Sequence, residues 1–222
     1  MRRGILAGLV MMVMTASVGS LEAQVCSGMA PFENGRMQVG GLAQFADGGQ
    51  GFAGMFALGK PDYFFGSFGI GSISYDDLDG SSTTVTGEVG YQVGLGATQT
   101  LQLCPIASAT LGFGPNDILG SDIDASFRDL SFGLALGGTL HGTPQFRVIP
   151  SGSVALVHAT QKYDDGVDSE SESDTFGIFS LGVGLVFNRV VTLRPGMGIP
   201  FGLDESDPVW GVALAVSFGG QR

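Results

Sequence analysis

The chain has 222 residues and a formal net charge of −11; 44% of its residues are hydrophobic, and it contains 38 glycines and 16 phenylalanines. The negative charge excludes nucleic acid as a partner, because binding it requires a positive surface. The apolar fraction argues against disorder, and the lack of a Gly-X-Y period excludes collagen.

The first 23 residues have the pattern of a secretory signal peptide. Arg2 and Arg3 precede an apolar run at 4–19, and Ala23 offers a small residue for cleavage. The remaining chain has no apolar run of the roughly 20 residues that a membrane-spanning helix needs. If it enters a membrane, it must do so as a closed barrel, which satisfies every backbone polar group. We therefore predict a signal peptide at 1–23, an N-terminal periplasmic segment or partial plug at 24–35, and a transmembrane β-barrel at 36–222.

Alternation with a period of two recurs along the predicted mature chain, whereas helical periodicity does not. In the stretches 83–94 and 209–218, large apolar residues alternate with Gly, Ala, Ser, Thr or other polar residues. The pattern predicts ten strands, at about 37–45, 51–59, 63–75, 83–94, 100–113, 127–140, 145–160, 175–187, 190–201 and 209–218. The aromatic run 63–65 leaves the facing of the third strand ambiguous. Pro105 and Pro150 interrupt the fifth and seventh strands, where we expect bulges.

The predicted connections are of two kinds. Those after strands 2, 4, 6 and 8 are tight, and Asn188-Arg189 is an example. Most of the others are longer and acidic, and the longest is a predicted loop at 162–174. Short turns at one end and long loops at the other are typical of bacterial outer-membrane barrels. We predict an all-β, antiparallel up-and-down transmembrane barrel of about ten strands, with eight as the alternative and both termini periplasmic.

The distribution of charge favours a lipid-facing barrel over a soluble, lipocalin-like one. The chain has 10 basic and 21 acidic residues, but few of them fall within the ten predicted strands. A soluble barrel would need a charged outer face, whereas here the less apolar face is mostly Gly, Ala, Ser and Thr. The residues within the strands that carry formal charge are Glu88, Arg128, Asp129, Arg147 and Arg194. We predict that the lipid-facing set includes Val89, Tyr91, Phe132, Leu134, Trp210, Val212, Leu214 and Phe218.

The predicted signal peptide, the glycine-rich alternating strands and the closing pattern Trp210-x-Val212-x-Leu214-x-Val216-x-Phe218 resemble the small OmpA/OmpX-type outer-membrane barrel families. The resemblance covers nearly the whole mature chain and is one of pattern, without a diagnostic motif. The chain departs from these families in two ways: residues 219–222 follow the terminal aromatic, and eight strands are more typical than ten.

The only two cysteines, Cys26 and Cys104, fall toward the predicted periplasmic end. An exported chain meets an oxidising compartment, so we expect them to form a disulfide that ties the N-terminal segment into the barrel mouth. Two free thiols are the alternative.

Candidate functional residues are few. Glu88, Arg147 and Arg194 are the charges expected to point into the lumen, as a structural ion-pair cluster or a gate. The acidic stretch 164–174 could collect divalent cations but lacks the spacing of a calcium-loop motif, so solvated surface is the preferred interpretation. Neither His141 nor His158 has a base or nucleophile at catalytic spacing. We expect no catalytic site, no metal site and no cofactor.

Three functions remain open: a structural barrel or narrow passive pore, a closed barrel acting in adhesion through acidic loops, and a carrier for an apolar or lipid ligand. The predicted partners are outer-membrane lipid, lipopolysaccharide and the barrel assembly machinery, and we expect a monomer in the bacterial outer membrane.

Overall fold

A computed structural model describes most of the chain between Val25 and Gly219. The described residues are 25–29, 37–59, 64–76, 80–95, 101–115, 117–118, 121–122, 124–140, 142–143, 145–164, 169–203 and 207–219. The predicted signal peptide at 1–23 lies outside them, as does most of the segment 24–35. None of the described residues form a helix long and apolar enough to cross a membrane.

Ten long strands dominate the described residues. They are β1 (Met37–Ala46), β2 (Gly49–Gly59), β3 (Phe64–Tyr75), β4 (Ser81–Tyr91, continued by Val93–Leu95), β5 (Leu101–Phe113), β6 (Asp124–Gly138), β7 (Phe146–Asp164), β8 (Ser169–Phe187), β9 (Val191–Phe201) and β10 (Val209–Phe218). Two further two-residue strands, Asp117–Ile118 and Ser121–Asp122, pair with each other between β5 and β6. A single turn of 3₁₀ helix, Val25–Ser27, precedes the strands.

The ten strands form a closed antiparallel barrel. Each strand pairs with its neighbour in sequence, β4 pairs with β5, and β1 pairs with β10 to complete the circle. The register of the closing pair places Phe45 opposite Trp210. The predicted all-β, up-and-down barrel of ten strands is therefore confirmed.

Side-chain burial follows the predicted period of two. In β10, Val209, Gly211, Ala213 and Ala215 are buried, whereas the intervening residues from Trp210 to Leu214 are exposed. The residues on the buried set face the lumen, and those on the exposed set face outward. The ambiguous third strand resolves in the same way, because Phe64 is exposed and Phe65 is buried.

The two strand prolines do not produce the expected bulges. Around Pro105, the pairing of β4 with β5 is interrupted, yet the pairs on either side, Gly90 with Ile106 and Val93 with Leu103, keep the same register. Pro150 pairs with Val183 of β8, and the pairing of β7 with β6 begins only at Ser151. The bulge prediction was wrong because each proline lies where a neighbouring strand pairing is missing, so its absent N–H costs no ladder bond there.

The acidic segment predicted as a long loop is mostly strand. β7 continues to Asp164 and β8 starts at Ser169, so the two strands pair over 19 residues each. Within this segment, residues 169–174 are exposed throughout. The sequence pattern missed this extension because a hairpin that is solvated on both faces needs no apolar alternation.

The predicted tight turn at Asn188-Arg189 is present. Both residues have positive φ angles, 50° and 60°, and the Val190 N–H donates a hydrogen bond of 3.0 Å to the Phe187 carbonyl, which closes the turn. This turn lies at the same end of the barrel as the N-terminal 3₁₀ turn, whereas the long β7–β8 hairpin extends from the opposite end. We name these the turn end and the loop end.

Candidate functional site

The outward face of the barrel is apolar on all sides. Every strand carries exposed large hydrophobic side chains, and Phe64, Phe132 and Leu156 are 72%, 67% and 62% exposed. All eight predicted lipid-facing residues lie on this face and are exposed: Val89, Tyr91, Phe132, Leu134, Trp210, Val212, Leu214 and Phe218. In the ten long strands, the outward-facing charged residues are confined to the loop end of β6 and β7: Asp124, Arg128, Lys162 and Asp164. We name the apolar surface below them the apolar belt.

The N-terminal segment enters the lumen at the turn end. Val25, Cys26 and Met29 are each at most 2% exposed, although they precede the first strand. A disulfide joins Cys26 to Cys104 of β5, as predicted, across a sequence separation of 78 residues. The Gly28 N–H donates a hydrogen bond of 3.0 Å to the Val25 carbonyl, which closes the 3₁₀ turn. We name the residues 25–29 the plug.

A small polar chamber lies next to the plug. Its volume is about 40 Å³, which is enough for roughly three water molecules. Glu88 and Arg194 both line the chamber, so two of the three predicted lumen charges come together. The hydroxyl-bearing residues that line it are Ser27, Thr86, Ser108, Ser131, Ser151, Ser153 and Ser180. Ser108 and Ser131 share a hydrogen bond of 2.7 Å across β5 and β6.

Arg194 also contacts the plug. A β-carbon on Gly28 would lie 3.1 Å from Arg194 Nε, and one on Gly182 of β8 would lie 2.9 Å from the same atom. The guanidinium therefore lies between the plug and the barrel wall, in space that the two glycines leave. Arg147, the third predicted lumen charge, is half-buried on the inward face of β7 but does not line the chamber.

Sequence reasoning counted Asp129 among the strand charges but did not assign it to the lumen. Its side chain is 4% exposed, and neither carboxylate oxygen accepts a hydrogen bond from the described residues. The signal was available, because Leu130 and Phe132 face outward and the alternate positions of β6 must face inward. Its neighbour Arg128 faces outward for the same reason.

The loop end of the lumen is filled by apolar side chains. One cluster contains Val157, Phe176, Ile178 and Val209, and Leu203 packs against it. A second contains Ile73 and Phe127, with Tyr75 and Tyr163 packed against them. The less apolar face of the strands, mostly Gly, Ala, Ser and Thr by sequence, therefore also carries large apolar side chains at this end of the lumen.

Phenylalanine side chains in the lumen occupy space left by glycines on the neighbouring strand. A β-carbon on Gly112 would overlap the ring of Phe127, and one on Gly90 would overlap the ring of Phe65. In each pair, the aromatic ring of one strand fills the lumen space beside a glycine of the neighbouring strand.

The β8 arm of the long β7–β8 hairpin carries hydroxyl groups on its outward face and carboxylates on the other. Glu170, Glu172 and Asp174 occupy the positions that continue the inward face of β8. Their direct partners on β7 are Tyr163, Gln161 and Ala159, respectively. Tyr163 is half-buried at the lumen mouth, and burial together with the Glu172 carboxylate raises the pKa of its phenol above the ordinary tyrosine value.

His158 lies on the outward face of β7. Its Nδ1 atom is 3.0 Å from Thr175 Oγ1, and the side chain is exposed. The other histidine, His141, lies outside the described residues. Within the described part of the chain, no group of three or more His, Cys, Asp or Glu side chains is arranged to hold a metal ion.

These features define a class of protein: a closed antiparallel barrel with an apolar exterior and a filled lumen. No protein-family model and no curated protein sequence matches the chain. The β domain of the Bordetella autotransporter BrkA is 12% identical, with a TM-score of 0.53, and the match covers 83% of this chain and 100% of that one. This likeness shows the fold.

Two further solved structures show weaker likeness. The N-terminal β-barrel domain of Pseudomonas aeruginosa OprF is 11% identical, with a TM-score of 0.41, and the match covers 82% of this chain and 96% of that chain. Ail, the attachment invasion locus protein of Yersinia pestis, is 12% identical with a TM-score of 0.42, and the match covers 83% and 99%.

Proposed function

We propose that the chain is an integral β-barrel protein of the bacterial outer membrane with a structural role, whose lumen is closed by its own plug. The apolar belt is the observation that carries this proposal. Residues as large as Phe64 and Phe132 would be exposed to water in a soluble protein, at roughly 25 cal/mol for each square ångström of apolar surface. In lipid the same surface costs nothing, and a closed barrel leaves no strand edge without hydrogen bonds.

The proposed orientation follows from the two ends of the barrel. Outer-membrane barrels have short periplasmic turns and longer extracellular loops. The turn end, with the plug and the disulfide, is then periplasmic, and the long β7–β8 hairpin is extracellular. Secretion by a signal peptide at 1–23, assembly by the barrel assembly machinery, a monomeric state and periplasmic termini complete the proposal.

The lumen supports the closed form. The plug, the chamber and the apolar layer at the loop end follow one another along the barrel, and barrels of about eight strands are normally filled by side chains. Two cavities lined by described residues have volumes of about 40 and 30 Å³, which are too small for an acyl chain. This disfavours a carrier of apolar ligands.

A narrow pore is the second candidate, and the polar lining of the chamber favours it. Seven hydroxyl-bearing residues, Glu88 and Arg194 would suit a hydrated path if the plug left the lumen. An adhesive role through the acidic hairpin is the third candidate, and the exposure of 169–175 is the observation that favours it.

Conductance in a planar lipid bilayer tests the proposal. The purified, refolded chain is inserted, and current is recorded without and then with dithiothreitol. We expect no steady channels from the oxidised protein. Discrete channels before reduction would overturn the closed form in favour of the pore, and channels that appear only after reduction would assign the closure to the plug.

Insertion is measured separately, as protection of the barrel from protease in lipid vesicles. A chain that folds but stays fully accessible to protease, or that remains soluble without detergent or lipid, would overturn the membrane assignment itself.

A further inference from the structure

Three basic or imidazole side chains cluster on the outward face where the apolar belt ends. Arg128 of β6 lies opposite Thr160 of β7, and the adjacent outward pairs are Leu130 with His158 and Ser126 with Lys162. Directly opposed side chains on antiparallel strands have β-carbons about 5 Å apart, and diagonal neighbours about 7–8 Å apart. Arg128, His158 and Lys162 are therefore within reach of one small ligand. All three side chains are exposed.

Hydroxyl groups surround this cluster on the same face. Thr160 Oγ1 and Ser173 Oγ are 3.2 Å apart, and His158 Nδ1 is 3.0 Å from Thr175 Oγ1. Ser126 and Ser171 continue the surface on either side of Lys162. We name Arg128, His158, Lys162 and these five hydroxyl residues the headgroup patch.

The position of the patch distinguishes it from ordinary solvated surface. It continues the apolar belt directly, since Leu130, Phe132 and Leu156 lie on the same outward face of β6 and β7 and are 38%, 67% and 62% exposed. On the flanking strands, β5 and β9 end in exposed aromatic residues, Phe113 and Phe201. The ring of aromatics expected at a membrane interface is thus replaced, over three strands, by cations and hydroxyls.

The charge balance of the chain makes the cluster more unusual. A chain of net charge −11 has 10 Lys and Arg residues, and the two that face outward on the described strands are both in the patch. Asp124 and Asp164, which lie opposite each other, are on the side of the patch away from the belt. Lys162 Nζ is 3.4 Å from Asp164 Oδ2, an exposed ion pair of the kind that contributes little and that a ligand can replace.

We propose that the headgroup patch binds the phosphorylated sugar headgroup of an outer-leaflet glycolipid. The inference rests on the proposed membrane location and names the lipid chemistry that this face accepts. An arginine fork and a lysine ammonium are the groups that bind phosphate. Ser and Thr hydroxyls supply donors and acceptors to sugar hydroxyls. The acyl chains of the same lipid would lie along Leu130, Phe132 and Leu156.

The test is a titration of the full chain, refolded in a zwitterionic detergent, with lipid A, a glucosamine lipid with two phosphates. The variant R128Q/H158Q/K162Q is compared with R189Q, which removes an exposed cation from the turn end. We expect the triple variant to bind lipid A at least tenfold more weakly and R189Q to bind as the unmodified chain does. Lipid A from which both phosphates have been removed should bind the unmodified chain at least tenfold more weakly than intact lipid A does.

Three results would overturn the inference: equal binding by the triple variant and R189Q, equal binding of phosphorylated and dephosphorylated lipid A, or complete displacement of lipid A by millimolar inorganic phosphate. The last would show a site for free phosphate instead of a lipid headgroup. Protease protection in phosphatidylcholine vesicles is measured for each variant. A protected triple variant with unchanged lipid A affinity defeats this inference alone, whereas an unmodified chain without protection defeats the membrane proposal.

Discussion

At the scale of single residues, two glycines make room for the plug inside the barrel. A β-carbon on Gly137 of β6 would overlap the carbonyl oxygen of Val25, and one on Gly184 of β8 would overlap that of Gly28. Both neighbouring atoms belong to backbone, so a side-chain rotation cannot relieve the overlap. The plug therefore depends on two positions in the wall that carry no side chain.

Replacing either glycine by alanine should displace the plug. We expect G137A and G184A to lose roughly 1–3 kcal/mol of stability, as overpacked interiors do, and to form less of the Cys26–Cys104 disulfide on refolding. Alkylation of free thiols followed by mass spectrometry measures the disulfide. G87A is the control, because a β-carbon there has nothing within 4 Å. Complete disulfide formation in both plug variants would contradict the prediction.

The disulfide itself should stabilise the fold. It closes a segment of 78 residues that includes β1 to β4, and a cross-link of this kind restricts the unfolded chain. The variant C26S/C104S should therefore have a free energy of unfolding lower by roughly 2–5 kcal/mol, measured by urea titration in lipid vesicles. The unmodified protein in dithiothreitol should match the variant. If the variant is as stable as the oxidised protein, the disulfide does not stabilise the fold by restricting the conformations of the unfolded chain.

Residue-scale details show where the sequence is informative and where it is not. Alternation within one strand is enough to place Phe132 outward and Gly133 inward, and it would also have placed Asp129 inward. The contact of Phe65 with Gly90 depends on how β3 and β4 are aligned, which neither strand records alone. The Cys26–Cys104 pair was predictable because the chain has no other cysteine.

At the scale of strands, the apolar belt should respond to charge according to depth. Phe132 lies in the middle of β6 on the outward face, between Leu130 and Leu134. A charge introduced there has no partner in lipid, so F132R should lower the stability of the inserted barrel by roughly 2–4 kcal/mol, measured by urea titration in vesicles. S169R, at the exposed tip of β8, should change it by less than about 0.5 kcal/mol. Equal effects of the two substitutions would contradict a lipid-facing belt.

The strand lengths were predicted well inside the belt and poorly beyond it. Within the belt each strand needs one apolar face, so its sequence alternates. Beyond the belt, β7 and β8 are held by pairing with each other while both faces meet water, and serines alternating with acids suffice. The headgroup patch was also missed, because Arg128 and His158 come together only through the register of β6 and β7.

At the scale of the whole molecule, the acidic hairpin should control which ions pass if the lumen opens. Glu170, Glu172 and Asp174 occupy positions that continue the inward face of β8, above Phe176 and Ile178. With a net charge of −11 on the chain, the potential at this mouth is negative and concentrates cations. We therefore expect any current carried by the C26S/C104S variant to be cation-selective, as the reversal potential in a potassium chloride gradient would report.

Neutralising the hairpin in the same background should reduce that selectivity. E170Q/E172Q/D174N removes three carboxylates from the mouth but leaves the belt, the chamber and the plug residues unchanged, so its conductance should persist while the reversal potential moves toward zero. Preference for anions in the parent variant would contradict the prediction. If the C26S/C104S variant inserts but carries no current, the lumen is closed without the plug. The apolar layer of Phe127 and Phe176, which lies between the hairpin and the chamber, would then be the barrier.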